Sequence, residues 1–96
     1  MNLYHWSSRL LANYSNGDII VMAENIEQAR DKVYAQFNPL EDGNPFEDAY
    51  LQMLKLNGDT EGFTDELRTQ RDRLTEDLNQ EPTIVESGVV LIKGSD

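Results

Sequence analysis

The chain has 96 residues, no cysteine, 39% hydrophobic residues and a formal net charge of −10. This length suits one domain with one modest core, so we expect residues 1–96 to form a single compact domain. The missing cysteines exclude disulfides and thiolate metal sites, and the negative charge argues against direct binding to nucleic acid or to anionic membranes, both of which would repel it.

Two strands are predicted in the first quarter of the chain. Residues 3–8 alternate, with the aromatic side chains of Tyr4 and Trp6 on one face, which is the pattern of a half-buried strand. Residues 19–23 read Ile-Ile-Val-Met-Ala. This apolar and largely β-branched run also predicts a strand.

The connection between these strands has two interpretations. Asn16 and Gly17 lie between apolar segments, and Asn-Gly is the strongest short hairpin signal because both central positions of the turn need positive φ. In the other interpretation, residues 8–14 form a short helix that the Asn-Gly pair ends. We favour the hairpin. Its register would pair Tyr14 with Ile19, Ala12 with Val21 and Leu10 with Ala23.

A first helix is predicted directly after the second strand. Asn25 is a good N-cap, and Gln28, three residues later, can complete a capping box. Pro39 is expected to end this helix. The apolar positions recur at helical spacing and predict one buried face, formed by Ile26, Ala29, Val33, Tyr34 and Phe37.

A second helix is predicted after a polar loop. Asn44 would provide its N-cap, Pro45 suits the first helical position, and Glu47 would close the capping box. The Asn-Gly pair at residues 57–58 is expected to stop the helix. Its predicted buried stripe consists of Phe46, Ala49, Tyr50, Met53 and Leu54.

A third helix is predicted from about Asp65 to Gln80. Acids in its first turn suit the positive end of the helix dipole, and Pro82 is expected to end it. Because the apolar stripe is narrow, we expect this helix to lie on the surface of the domain. The stripe consists of Phe63, Leu67, Leu74 and Leu78.

The arginines of the third helix alternate with acids. Arg68 and Asp72 are four residues apart, and so are Arg73 and Asp77. Side chains at this spacing are neighbours on a helix surface. We therefore expect two solvated ion pairs within the helix, and not a basic docking face.

The end of the chain predicts a further strand and completes the fold. Residues 83–93 are rich in β-formers, and residues 89–92 show no polar alternation, which suits a central strand covered on both faces. Gly88 suggests a bulge before it. The order β-β-α-α-α-β predicts an α+β fold in which a small antiparallel sheet of about three strands carries two to three helices on one face.

Candidate catalytic and metal-binding residues lack the partners that their chemistry needs. His5 is the only histidine, and no nucleophile and orienting acid accompany it in a motif. Residues 57–68 place oxygen ligands and Gly62 at the spacing of a calcium loop, but Arg68 occupies the position of the bidentate Glu. We therefore predict no enzyme, no catalytic residue, no metal and no cofactor.

The negative charge is concentrated in residues 41–66, the acidic window, which holds eight acids and one base, Lys55. Residues 1–40 contain four acids and three bases, and residues 67–96 contain six acids and four bases. Such an uneven distribution has two interpretations: a solvated surface whose charge preserves solubility, or a directional field that attracts a basic partner. The predicted partner-binding residues are Glu41, Asp42, Glu47, Asp48, Asp59, Glu61, Asp65 and Glu66.

In size, absent cysteine, α+β pattern and clustered acids, the chain resembles the small acidic accessory proteins of bacteriophages, which include DNA mimics and anti-CRISPR inhibitors. The resemblance implies an inhibitor that occupies a basic surface of a nucleic-acid-handling protein. The first six residues lack the features of a signal peptide, so we expect a cytoplasmic protein, in the host if phage-encoded. The alternative is a structural or assembly protein that associates with itself through a sheet edge. The sequence leaves its oligomeric state open.

Overall fold

A computed structural model describes residues 1–11 and 17–85. Within them the chain forms β1 (Asn2–Ser8), β2 (Gly17–Ala23), α1 (Ile26–Gln36), α2 (Ala49–Leu56), α3 (Thr60–Asn79) and β3 (Thr83–Val85). The three strands are antiparallel, so the predicted α+β class and the order β-β-α-α-α-β are confirmed. α1 packs on β2 and α3 packs on β1, while α2 packs on α3.

β1 is the central strand of the sheet, whose order is β2-β1-β3. Its side chains alternate between two faces, and Tyr4, Trp6 and Ser8 are buried beneath the helices. On β2, Ile20 and Met22 point to the opposite face and are about half exposed. The helices therefore cover one face of the sheet, and the core lies between these two layers.

The register between β1 and β2 differs from the predicted hairpin. The observed pairs include Asn2–Ala23, Tyr4–Val21 and Trp6–Ile19. The predicted pairing of Leu10 with Ala23 is therefore wrong, because Ala23 pairs with Asn2 and Leu10 lies in a turn. The predicted partners Ala12 and Tyr14 lie outside the described residues. The short-helix interpretation is not supported at residues 8–11, because Ser8 belongs to β1 and residues 9–11 form a bend and a turn. Residues 12–14 lie outside the described ranges.

Trp6 occupies the middle of the core. Only 1% of its surface is exposed, and its indole Nε1 donates to the carbonyl oxygen of Gln80 at 2.9 Å. A buried indole N–H needs such a partner, so this bond fixes the ring relative to the end of α3. The remaining buried residues of the core cluster are Tyr4, Ile19, Ala23, Ala29, Val33, Leu74 and Leu78.

The prediction for α1 is confirmed in its N-cap and its buried face. Asn25 Oδ1 accepts from the Gln28 N–H at 2.8 Å. Gln28 Oε1 accepts from the Glu24 N–H at 2.8 Å, one residue before the position used by a standard capping box. The predicted apolar positions face the core, with Ala29 and Val33 buried and Ile26, Tyr34 and Phe37 packed against them.

α2 begins later than predicted, because Asp48 and not Asn44 is its N-cap. The Asp48 carboxylate accepts from the Tyr50 N–H at 2.9 Å. Asn44 Oδ1 accepts from the Phe46 N–H at 2.9 Å in a turn that precedes the helix. Asp48 also accepts from Gln70 on α3 at 2.6 Å, and this tertiary contact is invisible to local cap signals.

The buried face of α2 also differs from the predicted stripe. Leu51 and Leu54 are buried, whereas Tyr50 and Met53 are 52% and 46% exposed. The sequence of α2 is apolar almost all round, so its pattern does not determine which side faces inward. Packing against α3 makes that choice.

α3 begins earlier than predicted. Asp59 is its N-cap and accepts from the Gly62 N–H at 2.9 Å. Residues 60–68 therefore belong to the helix and do not form a calcium-binding loop. Within residues 1–11 and 17–85, His, Asp and Glu side chains form no group of three or more that could hold a metal ion.

The two halves of α3 differ in burial. Leu74 and Leu78 in the C-terminal half are fully buried, while most other residues of this half are exposed, so α3 lies on the surface of the domain with the narrow buried stripe that the sequence predicts. In the N-terminal half, Phe63 and Leu67 are only partly buried. This half and α2 form a helical hairpin whose buried residues, Leu51 among them, lie outside the main core cluster.

A buried carboxylate, Asp77, ties α3 to the end of β1. Asp77 is 5% exposed, and its oxygens accept from Ser8 Oγ at 2.6 Å, the Arg9 N–H at 3.0 Å and the Leu10 N–H at 3.2 Å. Ser8 Oγ accepts in turn from the Leu11 N–H at 3.1 Å. These bonds satisfy backbone donors that no strand partner reaches, and they define the end of β1.

The predicted ion pairs of α3 do not form. The Asp77 carboxylate is hydrogen-bonded to the end of β1 and does not pair with Arg73. Arg68 approaches Asp65 at 4.0 Å instead of Asp72, and both side chains are 68% exposed. An exposed pair at this distance contributes little to stability.

The predicted final strand is confirmed only at its start. β3 covers Thr83–Val85 and pairs with β1 as an edge strand. Gly88 and residues 89–92, predicted as a bulge and a central strand, lie outside the described residues.

The role of Asp77 can be tested by replacing it with Ala. The change removes three hydrogen bonds to a buried carboxylate, so we expect the free energy of unfolding to fall by about 2–3 kcal/mol. Urea unfolding followed by Trp6 fluorescence measures the loss. Asp72→Ala, on the exposed face of the same helix, should change stability by less than about 0.5 kcal/mol. Equal effects of the two substitutions would contradict the anchoring role.

Candidate protein-interaction surface

All eight carboxylates of the acidic window reach the protein surface. Six of the residues are exposed, and Asp48 and Glu66 are half-buried. Their hydrogen-bond donors are mostly neutral amides and backbone N–H groups, which hold the side chains in place without cancelling their charge. The structure therefore leaves the negative field of the window largely intact.

One group of acids forms at the N-terminal end of α2. Gln70 Nε2 donates to Asp48 at 2.6 Å and to Glu66 at 2.8 Å, so a single amide brings together carboxylates from α2 and α3. Glu47 precedes Asp48 in the chain and accepts from the Gly43 N–H at 3.0 Å. We call Glu47, Asp48 and Glu66 the first acidic group.

A second group lies at the other end of α2. Asp59 caps α3, and Glu61 is exposed in the first turn of that helix. An eight-residue helix is about 12 Å long, so this second acidic group is separated from the first by roughly that distance. Asp65 lies further along α3 beside Arg68, and it is the member of the window whose charge is partly compensated.

The two remaining acids of the window belong to the loop before α2. Glu41 accepts from Asn38 Nδ2 at 3.0 Å and so helps to shape this loop. Asp42 is exposed next to it. Their positions add negative charge on the side of the first acidic group, because the loop leads directly into Glu47.

Between the two acidic groups, α2 exposes an apolar ridge that the sequence pattern did not reveal. Tyr50, Met53 and Leu56 are 52%, 46% and 88% exposed, and their spacing of three residues places them along one side of the helix. Lys55, the one base of the window, follows Met53 by two residues. Its side chain therefore lies roughly 200° around the helix axis from that of Met53. The ridge is bordered by acids at both ends.

Of the aromatic residues in this region, Tyr50 is the one that the fold leaves accessible. Phe46 packs edge-on against Phe37, with ring centroids 5.4 Å apart. Phe63, in the first turn of α3, is half-buried and lines a small pocket together with Leu54. An apolar anchor for a partner is thus available on α2 and not on the flanking loops.

The outer edge of the sheet is partly occupied by a lysine. β2 is an edge strand, and Lys32 Nζ on α1 donates to the carbonyl oxygen of Met22 at 2.9 Å. A lysine at a strand edge hinders pairing with another chain. This contact makes self-association through β2 a weaker proposal than binding through the acidic groups.

His5 has a partner that the sequence did not indicate. Its Nε2 lies 2.7 Å from Asp18 Oδ1 on the open face of the sheet. The two residues are 13 positions apart, and only the observed register, with His5 opposite Ile20 and Ser7 opposite Asp18, brings them close. A catalytic role would also need a positioned nucleophile.

No family model matches the chain, and neither a curated protein nor a solved structure matches it. Among the helices in the described part of the chain, none has both the length and the apolar character that a membrane crossing requires. Function is therefore inferred from the surface chemistry of the chain itself.

The convergence of the first acidic group can be tested at Gln70. Gln70→Glu places a third carboxylate between Asp48 and Glu66, so we expect a loss of roughly 1 kcal/mol in unfolding free energy that shrinks as salt screens the repulsion. Gln70→Lys places a cation there and should leave stability unchanged or raise it. Chemical unfolding at low and high salt measures both. If Gln70→Glu and Gln70→Lys changed the unfolding free energy equally, the carboxylates of Asp48 and Glu66 would not lie close to residue 70.

Proposed function

We propose that this protein is an acidic interaction module that binds a basic surface of another protein and blocks it. Support comes from the placement of five carboxylates in two groups, one at each end of α2, with Lys55 turned away from the side between them. Gathering like charges in this way costs self-repulsion. A basic partner would offset that cost on binding.

The nature of the partner follows from the sign and spacing of the charge. Surfaces rich in Lys and Arg are typical of proteins that bind the phosphate backbone of nucleic acids. We propose a nucleic-acid-handling protein as the partner, and inhibition of the DNA-mimic or anti-CRISPR type as the function. Carboxylates in the groove of such a protein would pair with the Lys and Arg side chains that otherwise bind phosphates, and would so exclude the nucleic acid.

The proposed mechanism is steric and electrostatic competition and involves no chemical step. Complementary charge accelerates association, and exposed ion pairs weaken as salt rises. Binding should therefore be fast at low salt and decline with ionic strength. The amide donors that hold the acidic groups would keep the carboxylates positioned before the partner arrives, which lowers the ordering cost of binding.

The two N-cap acids require a careful choice of variant. Asp48→Lys or Asp59→Lys would remove a helix cap together with a charge. Asn caps a helix about as well as Asp, so amide substitutions separate the two effects. The test variant combines Asp48→Asn, Asp59→Asn, Glu61→Gln and Glu66→Gln. Its control removes the same charge elsewhere, at four exposed acids, by Glu24→Gln, Glu27→Gln, Asp31→Asn and Glu81→Gln.

The measurement is a tagged pull-down from bacterial lysate at low and high salt, with bound proteins identified by mass spectrometry. We expect the wild type and the control variant to retain one nucleic-acid-binding protein at low salt, and the test variant to lose most of it. Retention by the test variant at the wild-type level would refute the proposal. A protein retained equally at both salt concentrations would also refute it, since exposed charge pairs are screened.

A further inference from the structure

From the apolar ridge on α2 we infer the shape of the partner's site: an apolar pocket that is bordered by Lys or Arg side chains and receives Tyr50, Met53 and Leu56. This inference rests on the proposed function and specifies which part of the surface supplies most of the affinity. Leu56, at 88% exposed, is the most exposed of the large hydrophobic residues in the described chain.

The ridge lies outside the core cluster of the described chain. α2 uses Leu51 and Leu54 for its contacts with the rest of the protein, and both are buried. By helical geometry Leu56 lies opposite the two buried leucines, whereas Tyr50 lies beside Leu54 at the border of the buried face. Most surface helices present polar residues on their solvent-facing side. Three exposed apolar side chains aligned along α2 therefore indicate a surface that another molecule covers.

The charges around the ridge favour a basic protein over a second copy of this chain. In a symmetric dimer through α2, the ridge of each copy would meet the other ridge, and the acidic groups at both helix ends would be brought close to their equivalents. Like charges placed together across an interface oppose association. A partner that combines an apolar pocket with basic borders meets both the ridge and its acidic ends favourably.

The arrangement matches the usual anatomy of a binding site between proteins. A few apolar or aromatic anchors at the centre supply most of the affinity, and charged residues at the border supply orientation and association rate. Tyr50 is the aromatic anchor here, since its ring is exposed while the other aromatic side chains of this region pack inward. The acidic groups alone would bind weakly and would not distinguish one polycation from another.

Two labelled peptides separate the contributions of ridge and charge. One is a short amphipathic helical peptide of Leu and Lys, and the other is an oligolysine with the same number of lysines. Fluorescence anisotropy at low salt gives their affinities. We expect the Leu/Lys peptide to bind roughly tenfold more tightly or better, because it can bury the ridge as well as pair with the acids.

Substitutions on the ridge give the second measurement. Met53→Gln with Leu56→Gln keeps good helix formers and should weaken binding of the Leu/Lys peptide by roughly tenfold while leaving oligolysine binding unchanged. The matched control, Ile20→Gln with Met22→Gln, changes two exposed apolar residues on the open face of the sheet. It should leave both affinities at the wild-type value. Circular dichroism and thermal unfolding confirm that each variant is folded.

Failure of the ridge inference and failure of the acidic module give different results. Equal affinities for the two peptides, both reduced by the four amide substitutions at residues 48, 59, 61 and 66, would refute the ridge inference and leave the acidic module standing. Affinities that the amide substitutions leave unchanged would refute the acidic module itself. Sedimentation equilibrium gives a third outcome: a dimer that Met53→Gln with Leu56→Gln dissociates would overturn the inference, because the ridge would then be covered by a second copy.

Discussion

The contact on which the rest of the structure depends is the one between Asp77 and the end of β1. A single buried carboxylate accepts from Ser8 Oγ and from the backbone N–H groups of Arg9 and Leu10. It thereby ends β1 at Ser8 and leaves residues 2–8 to pair with β2. Together with the bond from Trp6 to the carbonyl of Gln80, it fastens the C-terminal half of α3 to the sheet. The N-terminal half of that helix is then available to support α2.

Carboxylates that bond backbone N–H groups also organise the proposed interaction surface. Asp48 starts α2 and Asp59 starts α3, and both contribute to the acidic groups. The fold therefore fixes the positions of these charges, because the positive end of a helix holds a capping acid in place. A surface built this way is preorganised, because its capping carboxylates are hydrogen-bonded to the chain.

Two regions of the molecule expose apolar side chains, and they differ in their surroundings. On the open face of the sheet, Ile20 and Met22 lie next to the His5–Asp18 pair. At the edge of the same strand, Lys32 donates a hydrogen bond to the carbonyl oxygen of Met22. On α2, the ridge around Met53 lies between two acidic groups. On α2, apolar contact is combined with charge of one sign, and this combination would give the proposed partner both affinity and selectivity.

The sequence by itself determined the class and order of elements, the first helix and the location of the acids. Alternation in residues 3–8 and the Asn25 cap are local signals, and local physics is sufficient for them. Tertiary contacts decided what local signals left open. The pairing of residues 2–8 with β2 places Gly17 in a strand and not in a two-residue turn, and Asp48, which also accepts from Gln70 on α3, begins α2. Packing on α3 chose which side of an almost wholly apolar helix to bury, since a helix without a polar face has no preferred side. The ridge on α2, and the meeting of Asp48 with Glu66, depend on those choices and are absent from any pattern in the chain.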